Sequence, residues 1–240
     1  MPTTTVCVAH RGGHAGDSKR ENTLAAISAS LKLGVTAIEI DVWLIEGQLI
    51  VAHDRRLGRI IPGDELLSEL NLSELQARAA SAIGPLPTLV EVIELIAGRA
   101  RLNIELKGPG TAHPTCELLA AYFAQGQLTP AHFLLSSFDQ HQIRLCQEQL
   151  PQVPRGVLIC GIPLDYSALC RPLAATVLGI SLEFVSKALI DDCHQHGIEV
   201  WVYTVNHPQD MQALMELGAD ALFTDYPERL LTLGSVKGGT

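Results

Sequence analysis

The chain has 240 residues, 47% of them hydrophobic and 18% charged, which is enough apolar mass to bury a core and excludes whole-chain disorder. Lys and Arg number 17 against 26 Asp and Glu, and the formal net charge of −9 argues against a general nucleic-acid binder. A globally acidic surface also disfavours anionic ligands unless a local site overrules it.

The N-terminus, Met1-Pro2-Thr3-Thr4-Thr5-Val6, has no basic segment and no long apolar run, so no secretory signal is read there. The first strand is expected at Val6–Ala9, followed by a helix over Glu21–Leu33 that stops at Gly34, with Asn22 and Thr23 as N-cap residues. A second strand spans Thr36–Trp43, and a short extended segment, Gln48–His53, follows the turn signal Glu46-Gly47. Asp64–Leu75 reads as turns and short helical pieces, with Asn71 as a local cap. Thr88 and Glu91 form a capping box for a helix through Ile96, and Arg101–Leu106 is the third core strand.

Alternation is then steadier. Helices are expected at Thr115–Phe123, Gln140–Gln149, Lys187–His196 and Pro208–Leu217, with short helical pieces at Ser167–Leu169 and Pro227–Leu233. Strands are expected at His132–Ser136, Gly156–Cys160, Ala175–Ile180, Glu199–Val205 and Ala221–Phe223, and Gly234–Thr240 reads as a loose end. Eight core strands, most followed by a helix, match a TIM (β/α)8 barrel occupying the whole chain as a single domain. An open doubly wound sheet is the runner-up, and no GxGxxG follows the first strand to support it. The longest stretch free of Asp, Glu, Lys and Arg, Leu118–Phe138, contains Gln125, Gly126, Pro130 and His132 and makes a poor membrane span. Six cysteines without a CxxC pair read as reduced thiols in a cytoplasmic protein.

Most strands end in polar residues: His10-Arg11, Glu39-Ile40-Asp41, His53-Asp54, Glu105-Leu106-Lys107, Ser136-Ser137, Thr204-Val205-Asn206 and Thr224-Asp225. In a parallel barrel these ends meet at one rim, where catalysis is located. Period-two geometry puts Glu39 and Asp41 on one side of their strand, with Ile38, Ile40 and Val42 facing helices on the other. Glu105 and Lys107 share a side in the same way. Three carboxylates therefore converge from two strands, and buried like charges are costly without a cation. Hard oxygen ligands suit Mg²⁺ or Ca²⁺ better than zinc.

His10 and His53 stand beside this centre as an acid–base pair, and Asp54 can orient His53. Arg11 and Lys107 add positive charge that can hold a phosphodiester. The rival reading of these charges is a structural ion pair of Glu105 with Lys107 or Arg11. Glu21 is within reach of the rim, and His14 lies in the loop after His10-Arg11. Trp201 and Tyr203 alternate on the seventh core strand as a core pair or a pocket wall.

His10-Arg11-Gly12, Glu21-Asn22-Thr23, Glu39-Ile40-Asp41, His53-Asp54 and Asn103-Ile104-Glu105-Leu106-Lys107 together resemble the signature of the glycerophosphodiester phosphodiesterase family, over roughly residues 6–230. The resemblance implies a TIM barrel with a small insertion between the second and third barrel strands, here about 53–85. It implies metal-dependent hydrolysis of glycerophosphodiesters to glycerol 3-phosphate and an alcohol. It assigns Glu39, Asp41 and Glu105 to one divalent metal ion, Mg²⁺ or Ca²⁺ with Mn²⁺ also admissible. It assigns His10 and His53 to acid–base catalysis and Arg11 and Lys107 to phosphate contacts, with Glu21 as a possible further site residue. Trp43 departs from the family's usual polar residue and is in phase with Asp41, so it is expected to wall the substrate pocket, as is Trp201. The loop from His14 to Arg20 is slightly long, and the pattern after His53-Asp54 is only partly kept, as Leu57, Gly58 and Arg59.

The expected partner is thus a small-molecule glycerophosphodiester, with no nucleic acid, no stable membrane insertion, and a monomer or homodimer as the assembly. The nucleophile is either water or the glycerol 2-hydroxyl, and the sequence does not choose which histidine is the acid. Two alternatives stand beside this reading: a lysophospholipase D-like enzyme acting on lipid headgroups, and a non-catalytic barrel that binds a phosphoryl ligand.

Overall fold

The structure is a computed structural model and describes residues 5–236. Its strands are β1 (Val6–Ala9), β2 (Ala37–Ile45), β3 (Gln48–Val51), β4 (Arg101–Leu106), β5 (Phe133–Ser137), β6 (Arg155–Ile159), β7 (Val177–Ser181), β8 (Glu199–Tyr203) and β9 (Ala221–Thr224). Its helices are α1 (Leu24–Lys32), α2 (Leu72–Ala82), α3 (Leu89–Ile96), α4 (Ala112–Ala124), α5 (Gln140–Gln149), α6 (Lys187–Gln195), α7 (Pro208–Leu217) and α8 (Pro227–Val236).

β1 pairs in parallel with both β2 and β9, and the order β9-β8-β7-β6-β5-β4-β2 completes the ring. The result is the closed eight-stranded parallel barrel that the alternation predicts. β3 stands outside the ring as an antiparallel partner to the far half of β2, with Val42 opposite Val51 and Ile45 opposite Gln48.

The pleat divides the core into two. Ile38, Ile40 and Val42 of β2 and Ile104 and Leu106 of β4 face outward and join Val92, Ile93 and Ile96 of α3 in one apolar cluster. Each such side chain, fully buried, contributes roughly 1.5–3 kcal/mol relative to exposure. The opposite parity faces inward, where Val8, Ala37, Leu134, Val177, Trp201, Ala221 and Phe223 plug the lower barrel. The plug leaves only the upper ends of the strands open to a ligand.

Local rules explain most helix ends. Thr88 Oγ1 accepts from the Glu91 N–H at 3.2 Å while Glu91 Oε2 accepts from the Thr88 N–H at 2.8 Å, the expected capping box. Asn71 caps its helix by accepting from the Glu74 N–H at 2.8 Å, but that helix runs on to Ala82, well past Leu75. Leu75 and Ala79 bury one stripe against the separate apolar cluster of Trp43, Ile50, Leu57 and Leu67, and this tertiary contact lengthens a weakly patterned segment.

Other boundaries shift too: α4 starts three residues early, at Ala112, and β2 runs on to Ile45. α1 begins at Leu24, because Asn22 takes a left-handed φ of 57° and Thr23 alone caps, accepting from the Ala26 N–H at 3.2 Å. No helix forms at Ser167–Leu169. A single 3-10 turn forms instead at Arg171–Leu173, where Pro172 suits a first turn. Residues 234–236 of the expected loose end continue α8, and 237–240 lie outside the described residues. Among the described residues no helix is long and apolar enough to cross a membrane.

All six cysteines are free; Cys160 is exposed and the others are buried. Burial pushes the thiols of Cys7, Cys170 and Cys193 up to about 12. Iodoacetamide at mildly alkaline pH should therefore label native protein at Cys160 alone and denatured protein at every cysteine. Peptide mass mapping would detect any second native site.

Candidate active site

The upper rim is built around β2 and β4. In their register Asp41 lies opposite Glu105, and Glu39 lies one inward position below, opposite Asn103. Glu39, Asp41 and Glu105 are 2%, 1% and 9% exposed, and one oxygen from each lies within 4.8 Å of the other two.

Neighbours neutralise this charge only in part. Lys107 Nζ sits 2.7 Å from Glu105 Oε1 and 3.4 Å from Asp41 Oδ1. Asn22 Nδ2 donates to Asp41 Oδ2 at 2.9 Å, and Arg11 Nε lies 3.6 Å from the same oxygen. Glu39 Oε2 accepts the Arg11 backbone N–H at 2.8 Å, but Glu39 Oε1 is buried without a protein partner.

The acidities follow. Burial, then Asp41 and Glu105, push Glu39 well above the usual carboxylate range. Burial and Asp41 also raise Glu105. Burial acts upward on Asp41 too, but Lys107, His53 and Arg11 hold it below its ordinary value. An unpartnered buried oxygen, an excess of negative charge and an all-oxygen donor set fit a hard divalent cation.

The backbone that serves Glu39 is unusual. Arg11 has φ 50° and ψ 36°, which turns its N–H toward Glu39. Gly13 completes the turn at φ 75°, and a Cβ there would lie 2.6 Å from Ser30 Oγ, so glycine is required for both angle and space.

The two histidines share one construction. His10 Nδ1 lies 2.7 Å from Asp225 Oδ1, and His53 Nδ1 lies 2.9 Å from Asp54 Oδ1. Each carboxylate accepts, so each ring carries its proton on Nδ1 and keeps Nε2 for other work. Asp225 also receives His14 Nε2 at 2.9 Å and Asn206 Nδ2 at 2.7 Å. Burial acts upward on Asp225, yet the hydrogen bonds from His10 and His14 hold it far below the carboxylate range. Burial outweighs Asp225 at His10 and lowers that imidazole, leaving it neutral near neutral pH. His10, His14 and Asp225 also group closely enough to ligate a cation. Their carboxylate is already saturated by donors, so a cation is not needed there.

His10, Arg11, Glu39, His53, Glu105 and Lys107 all line one cavity of about 490 Å³, with Phe138, Leu158, Tyr203, Thr204 and Phe223 as its remaining wall. Two residues expected to wall the pocket sit elsewhere, and Glu21 joins the site only through arginines. Trp201 faces inward but two residues, about 6.6 Å, deeper than Tyr203. It packs on Phe223 at 5.7 Å and donates to Glu199 Oε2 at 2.8 Å, so it plugs the barrel, and Tyr203 holds the wall position. Trp43 is buried in the cluster beside β3 and donates Nε1–H to the His53 carbonyl at 3.4 Å, supporting that histidine from behind. Glu21 stands apart from the three carboxylates: its Oε2 lies 3.0 Å from Arg11 and 3.0 Å from Arg59, and its Oε1 also pairs with Arg59.

Other contributors were not assigned these roles from the sequence. Asn22 reads as a cap but binds Asp41. Asp225 and Asn206 are visible only as polar strand ends without partners. Arg59 joins Asp54 (Nε–Oδ2, 2.9 Å) to Glu21 across 38 positions of chain. No local spacing announces such a link.

Fold and site together define a barrel phosphodiesterase with an acidic cation-binding group. The model of the glycerophosphoryl diester phosphodiesterase family matches residues 10–229. A glycerophosphodiester phosphodiesterase from Caldanaerobacter subterraneus subsp. tengcongensis is 30% identical, with 98% of this chain and 99% of that protein covered. A lysophospholipase D from Homo sapiens is 25% identical, with 93% and 84% covered. Among solved structures, an Oleispira antarctica phosphodiesterase in complex with the product sn-glycerol-3-phosphate is 28% identical, with a TM-score of 0.83 over 95% of this chain and 96% of that one. The chain belongs to the glycerophosphoryl diester phosphodiesterase family. It is an enzyme of phosphodiester hydrolysis, which sets aside the non-catalytic alternative.

Glu39 holds its proton more tightly in the native chain than in the unfolded one. In metal-free protein it therefore weakens the fold as pH rises from the ordinary 4.5 through its native value. Melting of EDTA-treated protein should show this loss, Mg²⁺ or Ca²⁺ should reverse it, and Glu39→Gln should remove part of the pH slope. Melting temperatures blind to both cation and substitution would rule out this group as a cation site.

Proposed function

We propose that the chain hydrolyses glycerophosphodiesters to glycerol 3-phosphate and an alcohol, with His10 as general base and His53 as general acid. The observation that carries this reading is the matched pair of imidazoles, each pinned through Nδ1 by a carboxylate and each lining the cavity that Glu39 and Glu105 also line. The Oleispira antarctica relative, whose bound product is sn-glycerol-3-phosphate, supports the product assignment.

Glu39, Asp41 and Glu105 would hold one divalent ion, Mg²⁺ or Ca²⁺ by donor chemistry, with Mn²⁺ admissible. When bound, that ion supplies Lewis-acid polarisation of the phosphoryl oxygens. Arg11 Nε, buried and without a hydrogen-bond acceptor, and Lys107 Nζ supply fixed positive charge beside the phosphoryl group. His10, kept neutral by burial, takes the proton of the attacking hydroxyl, which comes from water or from the glycerol 2-position. His53 gives its proton to the departing alkoxide. Asp54, held at about 2 despite burial by its bonds to His53 and Arg59, stays ionised and stabilises the imidazolium form.

Residues 1–240 act as one barrel domain in this reading, with the segment at about 53–85 as an insertion over the site. A monomer or homodimer fits the reading, and the free thiols support a cytoplasmic setting.

Glycerophosphocholine and glycerophosphoethanolamine, with EDTA and then Mg²⁺, Ca²⁺ or Mn²⁺ restored, test the proposal. Glycerol 3-phosphate release should stop with EDTA and return with the ion. His10→Ala and His53→Ala should each lower kcat by about 10²–10⁴-fold while circular dichroism stays unchanged. EDTA-resistant release, or near-normal turnover in both variants, would refute the mechanism.

A further inference from the structure

A second cavity, about 400 Å³ counting its open mouth, meets the first at His53, which lines both. It lies beneath the segment between β3 and α3. Ala52, Leu57, Ile60, Ile61, Leu67 and Leu86 supply aliphatic walls, and no Phe, Tyr or Trp lines it. Glu21 and Asp54 reach its edge, but Arg59 already pairs with both, at 3.0 Å from Glu21 Oε2 and 2.9 Å from Asp54 Oδ2. No free carboxylate and no aromatic face is therefore offered to an ammonium group.

A phosphodiester has two alcohol halves, and the second cavity, although Asn22 and Arg56 also reach it, is the more aliphatic of the two. The glycerol half carries hydroxyls that need partners, and the barrel mouth offers Glu105, Lys107, Tyr203 and Thr204. We infer that the aliphatic cavity is the subsite for the other half and selects neutral alcohols with a short alkyl chain over choline or ethanolamine.

This assignment rests on the reading of His53 as the acid. A bond forms between the attacking oxygen and phosphorus, and the attacking group's proton passes to His10. The bond from phosphorus to the second alcohol breaks, and that oxygen takes the proton of His53. The alcohol then leaves neutral on the aliphatic side.

The test is kcat/KM for glycerol 3-phosphate esters of methanol, ethanol, propanol and butanol, beside glycerophosphocholine, glycerophosphoethanolamine and lysophosphatidylcholine. The expected rise is about 3- to 4-fold per added methylene until the cavity is full. The choline and ethanolamine esters should fall below the butyl ester. Ile60→Asn, at a half-buried wall position of this cavity, should flatten the series, so that each added methylene gains less than in the wild type. A flat series in the wild type overturns the subsite alone. So does a preference for choline, or a gain that follows an acyl chain on the glycerol half. Absence of glycerol 3-phosphate from every ester overturns the hydrolytic reading and the subsite together.

Discussion

Burial of three like charges is the constraint on which this molecule is organised. Asp41 and Glu105 face one another across adjacent parallel strands, and Glu39 lies one inward position below. The inward face beneath them is largely apolar, so no water screens the repulsion from below. Three neighbours relieve it in part. The left-handed Arg11 presents a backbone N–H, the left-handed Asn22 presents an amide, and Lys107 extends along its own strand to an ammonium between two carboxylates. These partners still leave Glu39 Oε1 without a donor. A divalent cation fits what the protein's own donors leave incomplete.

The same economy explains the charge balance. A net charge of −9 describes a surface averaged over the whole molecule. The cavity sees Arg11, Lys107 and two imidazoles against Glu39 and Glu105, whose charge a divalent ion would offset. A phosphodiester responds to that local field, because surface charges beyond roughly 10 Å are screened by salt. The remaining carboxylates near the rim, Glu21, Asp54 and Asp225, are each bound by Arg59, a histidine or Asn206, so they position groups and do not repel an anion.

Arg59 gives the segment after β3 a mechanical connection to the site. It ties Asp54, the partner of His53, to Glu21, the partner of Arg11. Trp43 adds a bond to the His53 carbonyl from the same side. His53 is thus held mainly from the segment after β3, while His10 is held by Asp225, just past β9, which Asn206 braces. Changes in this segment can then alter the environment of one histidine and spare the other.

The alternation of strand and helix, the capping box at Thr88 and the polar strand ends were legible in the chain because each depends on neighbours a few positions away. The same holds for Glu39, Asp41 and Glu105, since a period of two decides which side of a strand a residue takes. How deep Trp201 lies was not legible, because parity gives a face and not a layer. The length of α2 depended on a cluster assembled from distant segments. Asn22, Arg59 and Asn206 found their roles through partners 19 to 38 positions away, and Asp225 through His10, 215 positions away. Sequence by itself determined the barrel and its acidic centre, because both follow from local periodicity. Tertiary structure alone decided which groups neutralise and orient that centre, because hydrogen bonds between distant segments exist only once the ring has closed.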